Sequence, residues 1–157
     1  MTDFSHSTQL HEWINTPQLL QQCRKRANRQ ARDYLCFGPA PNSQPPVADF
    51  ARGFKGTLEG IDDGPAESPS GNAFLSPVEE GLLVDFYAAK LPSLIGPLAQ
   101  VPRLRREVKV SATAALLFRR FYLSNSVMLF DPKAIMVAAA FLASKVEDAM
   151  SPVSFAF

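Results

Sequence analysis

The strongest pattern in the chain is an apolar run, residues 134–143, that ends at Ser144 and Lys145. A surface helix carries an apolar stripe on one face, whereas a helix that is apolar all round is buried on every side. The run is too short to cross a bilayer, which takes about 20 residues. It therefore predicts the central helix of a soluble helical bundle, with a charged tip at Lys145, Glu147 and Asp148.

Pairs of a capping residue and a proline mark the helix starts: Thr16-Pro17, Ser76-Pro77, Asp131-Pro132 and Ser151-Pro152. Proline suits the first helical turn, where its missing N–H would lack an intrahelical partner anyway. We predict helices over residues 17–35, 77–91, 103–124 and 132–147, and a fifth that begins at residue 152. Because no run shows the alternation of a strand, the predicted fold class is all-α.

Residues 37–73 differ from the rest because they hold six prolines and six glycines. This composition predicts a flexible surface segment. Within it, Phe50, Phe54, Leu58 and Ile61 recur at helical spacing, so a docking segment that orders on binding is the alternative. The chain is thus divided into an N-terminal helical extension (1–36), the flexible segment (37–73) and a helical domain (74–157).

Composition narrows the class of protein. A chain of 157 residues with 46% apolar residues can bury one core. Sixteen basic and fifteen acidic residues give a net charge of +1, which disfavours a nucleic-acid binder with a wholly basic surface. Cys23 and Cys36 lack CxxC spacing, which favours reduced thiols of an intracellular protein. The N-terminus shows no signal peptide pattern.

Catalytic and cofactor motifs are missing from the sequence. The segment Gly53-Phe54-Lys55-Gly56 lacks the spacing of a phosphate-binding loop. His6 and His11 are five residues apart and have no cysteine partner, so they do not form a metal site. We therefore expect no catalytic residues, no cofactor, no metal and no enzymatic activity.

Two charged groups have both a structural and a functional interpretation, and a third has a structural one. Lys145 either offers its charge to the helix dipole or contacts a partner. Arg119 and Arg120, beside Phe118 and Phe121, either form the solvated face of an amphipathic helix or bind nucleic acid through exposed aromatics. The basic residues of 24–32 indicate a solvated helix, since the apolar stripe of that segment is weak.

Two segments carry a family resemblance. Residues 118–128 and 141–148 resemble helices two and three of the first cyclin box, most closely that of the cyclin H type. Leu142-Ala143-Ser144-Lys145 matches the cyclin segment residue for residue. Arg26-Ala27-Asn28-Arg29 is similar to part of the cyclin H N-terminal helix, which packs on the first box, and the resemblance runs from about Trp13 to Phe155.

The resemblance implies a cyclin-box helical bundle: an incomplete first box with an N-terminal helix and a disordered insertion. It implies a nuclear regulatory subunit that binds and activates a cyclin-dependent kinase in the kinase-activating complex of transcription factor IIH. This complex is linked to RNA polymerase II transcription and the cell cycle. The implied partners are the kinase catalytic subunit and the assembly factor of that complex, with no membrane and no direct nucleic acid. Lys145, Val146 and Glu147 would contact the kinase near its C-helix.

The resemblance also raises three further expectations. Only helices one to three and the start of a fourth are present, so the shortened chain should be marginally stable or expose an apolar patch along Ile135, Val137 and Phe141. Cyclins generally pair an aspartate of helix two with an arginine of helix one. Here Arg119 takes the aspartate position and residues 77–91 hold no arginine, so that ion pair should be absent. A cyclin C-type subunit of the Mediator kinase module, or a DNA-binding core of the transcription factor IIB type, remains an alternative.

Overall fold

The structure is a computed structural model that describes residues 16–38 and 74–147. Those two ranges hold four α-helices, one short 3-10 helix and no strand, which confirms the predicted all-α class. The helices are α1 (Pro17–Phe37), α2 (Pro77–Ile95), the 3-10 helix (Pro102–Leu104), α3 (Val108–Ser124) and α4 (Pro132–Val146). The helix predicted from residue 152 and most of the predicted flexible segment lie outside the described ranges.

Three of the predicted helix starts are confirmed by their caps. The Thr16 hydroxyl accepts a hydrogen bond from the Leu19 N–H at 3.2 Å, and the Asp131 carboxylate accepts one from the Lys133 N–H at 2.9 Å. Ser76 forms a complete capping box with Glu79. Each side chain satisfies a backbone N–H that has no partner inside its own helix.

The ends of α1 and α2 lie beyond the predicted ones, whereas α3 ends at the predicted residue, Ser124. The C-terminus of α1 is at Phe37, beyond which Gly38 adopts a φ of 73° and donates its N–H to the Tyr34 carbonyl. This left-handed conformation suits glycine, which has no Cβ to clash. The α2 helix continues past residue 91 to Ile95 although it contains Pro92, and its end is closed by the Gly96 N–H, which donates to the Pro92 carbonyl at 2.8 Å.

The third predicted helix, 103–124, is divided in the structure. Residues 102–104 form the 3-10 helix, and α3 begins only at Val108. The reason lies in tertiary structure, since the Arg106 N–H donates to the Ile95 carbonyl of α2 at 2.9 Å instead of to an intrahelical acceptor. The prediction of one continuous helix was wrong at this point.

The core lies between α2, α3 and α4, and α3 is its centre because each of the other three helices packs more extensively against α3 than against any other helix. Phe118 of α3 is the largest side chain that is completely buried. The core residues are Val84, Ala88, Leu91 and Ile95 of α2, Val110, Ala114, Phe118 and Tyr122 of α3, and Ala139, Ala140 and Ala143 of α4. The prediction that α4 is the central helix was therefore wrong for the described residues.

The α4 helix is buried on one side only. Its small residues Ala139, Ala140 and Ala143 face the core, while Val137 is 42% and Leu142 is 47% exposed. Burial on every side was expected and is not found in the described part of the chain. The expected apolar patch is only partly confirmed, because Ile135 packs against the core and Phe141 is half-buried.

Candidate functional site

The tip of α4 presents two of the three predicted contact residues to solvent. Lys145 is exposed, and Val146 is 61% exposed. The Lys145 ammonium lies over the Phe141 ring, 4.4 Å from its centroid, one helical turn earlier. This cation–π contact restricts the lysine side chain, so its ammonium group stays close to the helix. Leu142 adds an exposed apolar neighbour on the same side.

Glu147 has a different environment from Lys145 and Val146. Its carboxylate accepts a hydrogen bond from the Thr113 hydroxyl of α3 at 2.7 Å. Its backbone N–H donates to the Ala143 carbonyl and so closes the end of α4. A carboxylate at a helix C-terminus is unfavourable by itself, and the Thr113 hydroxyl compensates part of that cost. The structure thus directs Glu147 towards α3, whereas Lys145 and Val146 are exposed.

The backbone beneath the tip is fixed by packing. Ser144 is buried, and its hydroxyl donates to the Ala140 carbonyl at 3.0 Å. This internal bond satisfies a polar group that no longer reaches water. Together with buried Ala143, it seats the last turn of α4 firmly on the bundle.

An ion pair joins α2 and α3, contrary to expectation. The Arg119 guanidinium of α3 contacts the Asp85 carboxylate of α2, and both side chains are about half exposed. The expectation that this pair is absent was wrong because only an arginine was sought in the first helix of the box. Compared with the usual cyclin arrangement, the arginine and the aspartate have changed places between the two helices. The attraction between opposite charges is therefore kept.

The aromatic residues beside Arg119 and Arg120 belong to the interior. Phe118 is completely buried, and Phe121 packs edge to face against Tyr122 and Phe130 at ring-centroid distances of 5.0 and 5.3 Å. Exposed rings are required for nucleic-acid bases to stack on them. The structural interpretation of this segment is therefore confirmed.

The α1 helix packs on the bundle. Its weak apolar stripe had predicted a solvated helix, and that prediction was wrong. Cys23, Ala27 and Ala31 are buried against the neighbouring helices. Asn28 and Arg32 both donate to the Leu75 carbonyl, at 2.8 and 3.0 Å. The docking of α1 that the resemblance implied is thus found in the structure.

A buried carboxylate joins α2 to the turn between α3 and α4. Glu80 is only 7% exposed, and it accepts a hydrogen bond from the buried Ser126 hydroxyl. Burial raises the pKa of the Glu80 carboxyl, and its hydrogen bonds with Ser126 and Asn28 offset only part of that rise. The Tyr122 hydroxyl secures the same turn by donating to the Phe130 carbonyl at 3.0 Å.

Over residues 16–38 and 74–147, no group of three His, Cys, Asp or Glu side chains is arranged to hold a metal ion. Within the same ranges no helix has the length and apolar character needed to span a membrane. At the α4 tip the exposed groups are one cation, Lys145, and two aliphatic side chains, Leu142 and Val146.

Comparison with known proteins points to one family, although no family model matches the chain. The chain is 34% identical over 151 residues to cyclin-H1-1 of Arabidopsis thaliana, which covers 94% of this chain. It is 35% identical over 146 residues to cyclin CCL1 of Saccharomyces cerevisiae, with 92% of this chain covered. Over 74 residues, 47% of this chain, it is 38% identical to cyclin-H of Xenopus laevis.

The chain belongs to the cyclin family. Its similarity to several cyclin H proteins confirms the resemblance first indicated by residues 118–128 and 141–148. The helical bundle of α2, α3 and α4 is accordingly the cyclin-box fold. This cyclin spans 41% of the length of the Arabidopsis relative, 32% of the yeast one and 22% of the Xenopus one.

Sequence reasoning missed two structural residues of this cyclin. Glu80 lies in register with Val84, Ala88 and Leu91 on α2, so helical periodicity could have placed it on the buried face. Thr113 gave no comparable signal, because its partner Glu147 is 34 residues away.

Proposed function

We propose that this cyclin is a cyclin H-type regulatory subunit that binds and activates a cyclin-dependent kinase. The kinase would belong to the kinase-activating complex associated with transcription factor IIH, in the nucleus, together with the assembly factor of that complex. Similarity to cyclin H proteins over more than nine-tenths of the chain supports the proposal. The exposure of Lys145 and Val146 at the tip of α4 supports a contact there.

The mechanism proposed is conformational. The cyclin surface would press the kinase C-helix inward, so that the glutamate of that helix pairs with the lysine that holds the ATP phosphates. Lys145 would supply a charge and Val146 an aliphatic contact, while Glu147 holds the end of α4 against α3. Binding energy at this surface is then converted into catalytic competence of the kinase, without any chemistry by the cyclin itself.

Replacing Lys145 with glutamate tests the contact. We expect Lys145→Glu to weaken association with the recombinant kinase subunit about tenfold, because a negative charge replaces the positive charge that would contact the kinase. Kinase activity at saturating cyclin and the dissociation constant are measured in parallel with the melting temperature of the free cyclin. Lys133→Glu, the same charge change at the other end of α4, is the matched control.

Two outcomes would contradict the proposal. Equal affinities of the wild type and Lys145→Glu would exclude Lys145 from the interface. Failure of the kinase subunit to bind or to be activated by the wild-type chain would remove the proposed function as a whole.

A further inference from the structure

The ends of three helices meet at one end of the bundle. The Arg106 N–H bond to the Ile95 carbonyl places the connection between α2 and α3 at the C-terminus of α2. The Thr113–Glu147 bond places the C-terminus of α4 against the first half of α3. The tip that carries Lys145 therefore lies at the same end of the molecule as the residues that precede and begin α3.

That end is rich in cations. Its basic residues, which we call the basic end, are Arg103, Arg105, Arg106, Lys109 and Lys145. The acidic residues among the described positions 95–109 and 143–147 are Glu107 and Glu147. Both already have partners, because Glu107 pairs with Lys109 at 3.6 Å and Glu147 accepts from Thr113. The positive charge of this end is thus only partly compensated.

Two arginines of the basic end, Arg105 and Arg106, donate to backbone carbonyl oxygens of the described residues. The Arg105 Nε donates to the Ala99 carbonyl at 3.0 Å. One Arg106 nitrogen donates to the carbonyls of Arg103 and Arg105, at 3.0 and 2.8 Å. These bonds fix the two guanidinium groups without neutralising them, so less side-chain entropy is lost when a partner binds.

Exposed aliphatic side chains flank these arginines. Leu98 is 89% and Val101 is 50% exposed, and both belong to the same connection. None of the aromatic residues that the structure describes lies in residues 96–107, so this connection offers no ring for nucleic-acid bases. Cations mixed with aliphatic groups are complementary to an acidic protein surface.

We propose that the basic end steers an acidic face of the kinase small lobe onto the α4 tip. This inference rests on the proposed function and adds the electrostatic character of the partner surface. Charges at the rim of an interface act over a Debye length, about 8 Å at physiological salt, and mainly raise the association rate. Lys145 forms the contact itself, and the arginines accelerate the encounter that leads to it.

Arg103 is the position at which to test steering, because the structure gives its side chain no hydrogen bond or ion pair within the described residues. We expect Arg103→Glu to lower the association rate with the recombinant kinase subunit about threefold to tenfold at low salt. The dissociation rate should stay unchanged, and the effect should disappear in high salt. Stopped-flow fluorescence measures both rates.

Two further variants sharpen the test. Glu107→Gln removes an anion from the basic end and should accelerate association. Lys133→Glu makes the same two-unit charge change as Arg103→Glu, but at the opposite end of the bundle. Lys133 lies in the first turn of α4, next to the turn that the Ser126–Glu80 bond attaches to the start of α2. This variant should change the association rate far less. Circular dichroism melts establish that each variant is folded.

The outcomes separate this inference from the proposed function. Equal association rates for Arg103→Glu and Lys133→Glu would overturn the steering role even if Lys145→Glu weakens binding. A slower association for Arg103→Glu together with normal binding by Lys145→Glu would keep steering and remove the tip contact. If Arg103→Glu instead abolished binding of a single-stranded oligonucleotide and left kinase association unchanged, the basic end would be a nucleic-acid site and the inference would be wrong.

Discussion

At the scale of the residue, the bond between Thr113 and Glu147 attaches the end of α4 to α3. Glu147 follows directly after Lys145 and Val146, and its carboxylate is attached to another helix at 2.7 Å. A hydrogen bond to a charged acceptor contributes more to stability than one between neutral groups. The placement of the contact residues thus depends on a side chain outside the contact.

Thr113→Val should show this dependence. Valine keeps the shape and loses the hydroxyl, so we expect the free energy of unfolding to fall by about 1 kcal/mol and kinase affinity to fall about threefold. Thr113→Ser keeps the hydroxyl and should preserve both quantities. Chemical denaturation and a binding titration measure them, and a loss of stability with unchanged affinity would show that the bond has no role in positioning.

Prediction from sequence succeeded at residues whose properties are local. The position of Lys145 in the last turn of α4 was predicted because this residue ends an apolar run, while its contact with a kinase stays a prediction. The orientation of Glu147 was not, since it depends on how α3 and α4 pack. The direction of a side chain at a helix end is set by tertiary contacts that no local pattern contains.

At the scale of the element, the helix starts marked by a capping residue and a proline could be predicted, whereas the start of α3 and the ends of α1 and α2 could not. A capping side chain and a proline act within one turn, so Thr16, Ser76 and Asp131 marked their helices correctly. The late start of α3 depends on a bond from Arg106 to a different helix. The spacing of apolar residues along the chain contains no information about such a bond. The predicted helix therefore began at residue 103, five residues before the start of α3.

The ion pair between α2 and α3 yields a prediction at this scale. Asp85→Arg places two arginines together and should lower the free energy of unfolding by about 1 kcal/mol or less, because the pair is half exposed. Adding Arg119→Asp restores opposite charges and should recover most of that loss. Melting temperatures of the two single variants and the double variant measure the coupling. If the stability lost by the double variant equals the sum of the losses of the two single variants, the two side chains do not interact and the pair contributes nothing to stability.

At the scale of the whole molecule, Glu80 makes stability depend on pH. Its folded-state pKa is raised by burial, so the folded chain holds a proton that the unfolded chain releases. The stability contributed by Glu80 is therefore complete below the unfolded pKa, about 4.3. It declines as pH rises through the folded pKa.

Glu80→Gln should reveal this contribution. Glutamine cannot ionise, so the melting temperature of the variant relative to the wild type should rise as pH increases from the unfolded pKa through the raised folded pKa, and level off above it. Glu79→Gln is the opposite control, because the Ser76 capping bonds lower the pKa of Glu79 and its stabilisation grows with pH. A constant difference between Glu80→Gln and the wild type across this pH range would show that the buried carboxyl is not titrating differently in the two states.

The two hydrogen bonds to the Leu75 carbonyl affect how much the length of the connection between α1 and α2 can change. Asn28 and Arg32 tie the entrance of α2 to α1, and Gly38 follows Arg32 by six residues, about 9 Å of helix. The two points between which residues 39–73 run are thus fixed by the bundle itself. The composition of residues 37–73 predicts a flexible connection, for which doubling the length costs only about 0.6 kcal/mol. Natural lineages and protein engineers alike could therefore lengthen, shorten or replace it with a reporter domain while the cyclin box stays intact.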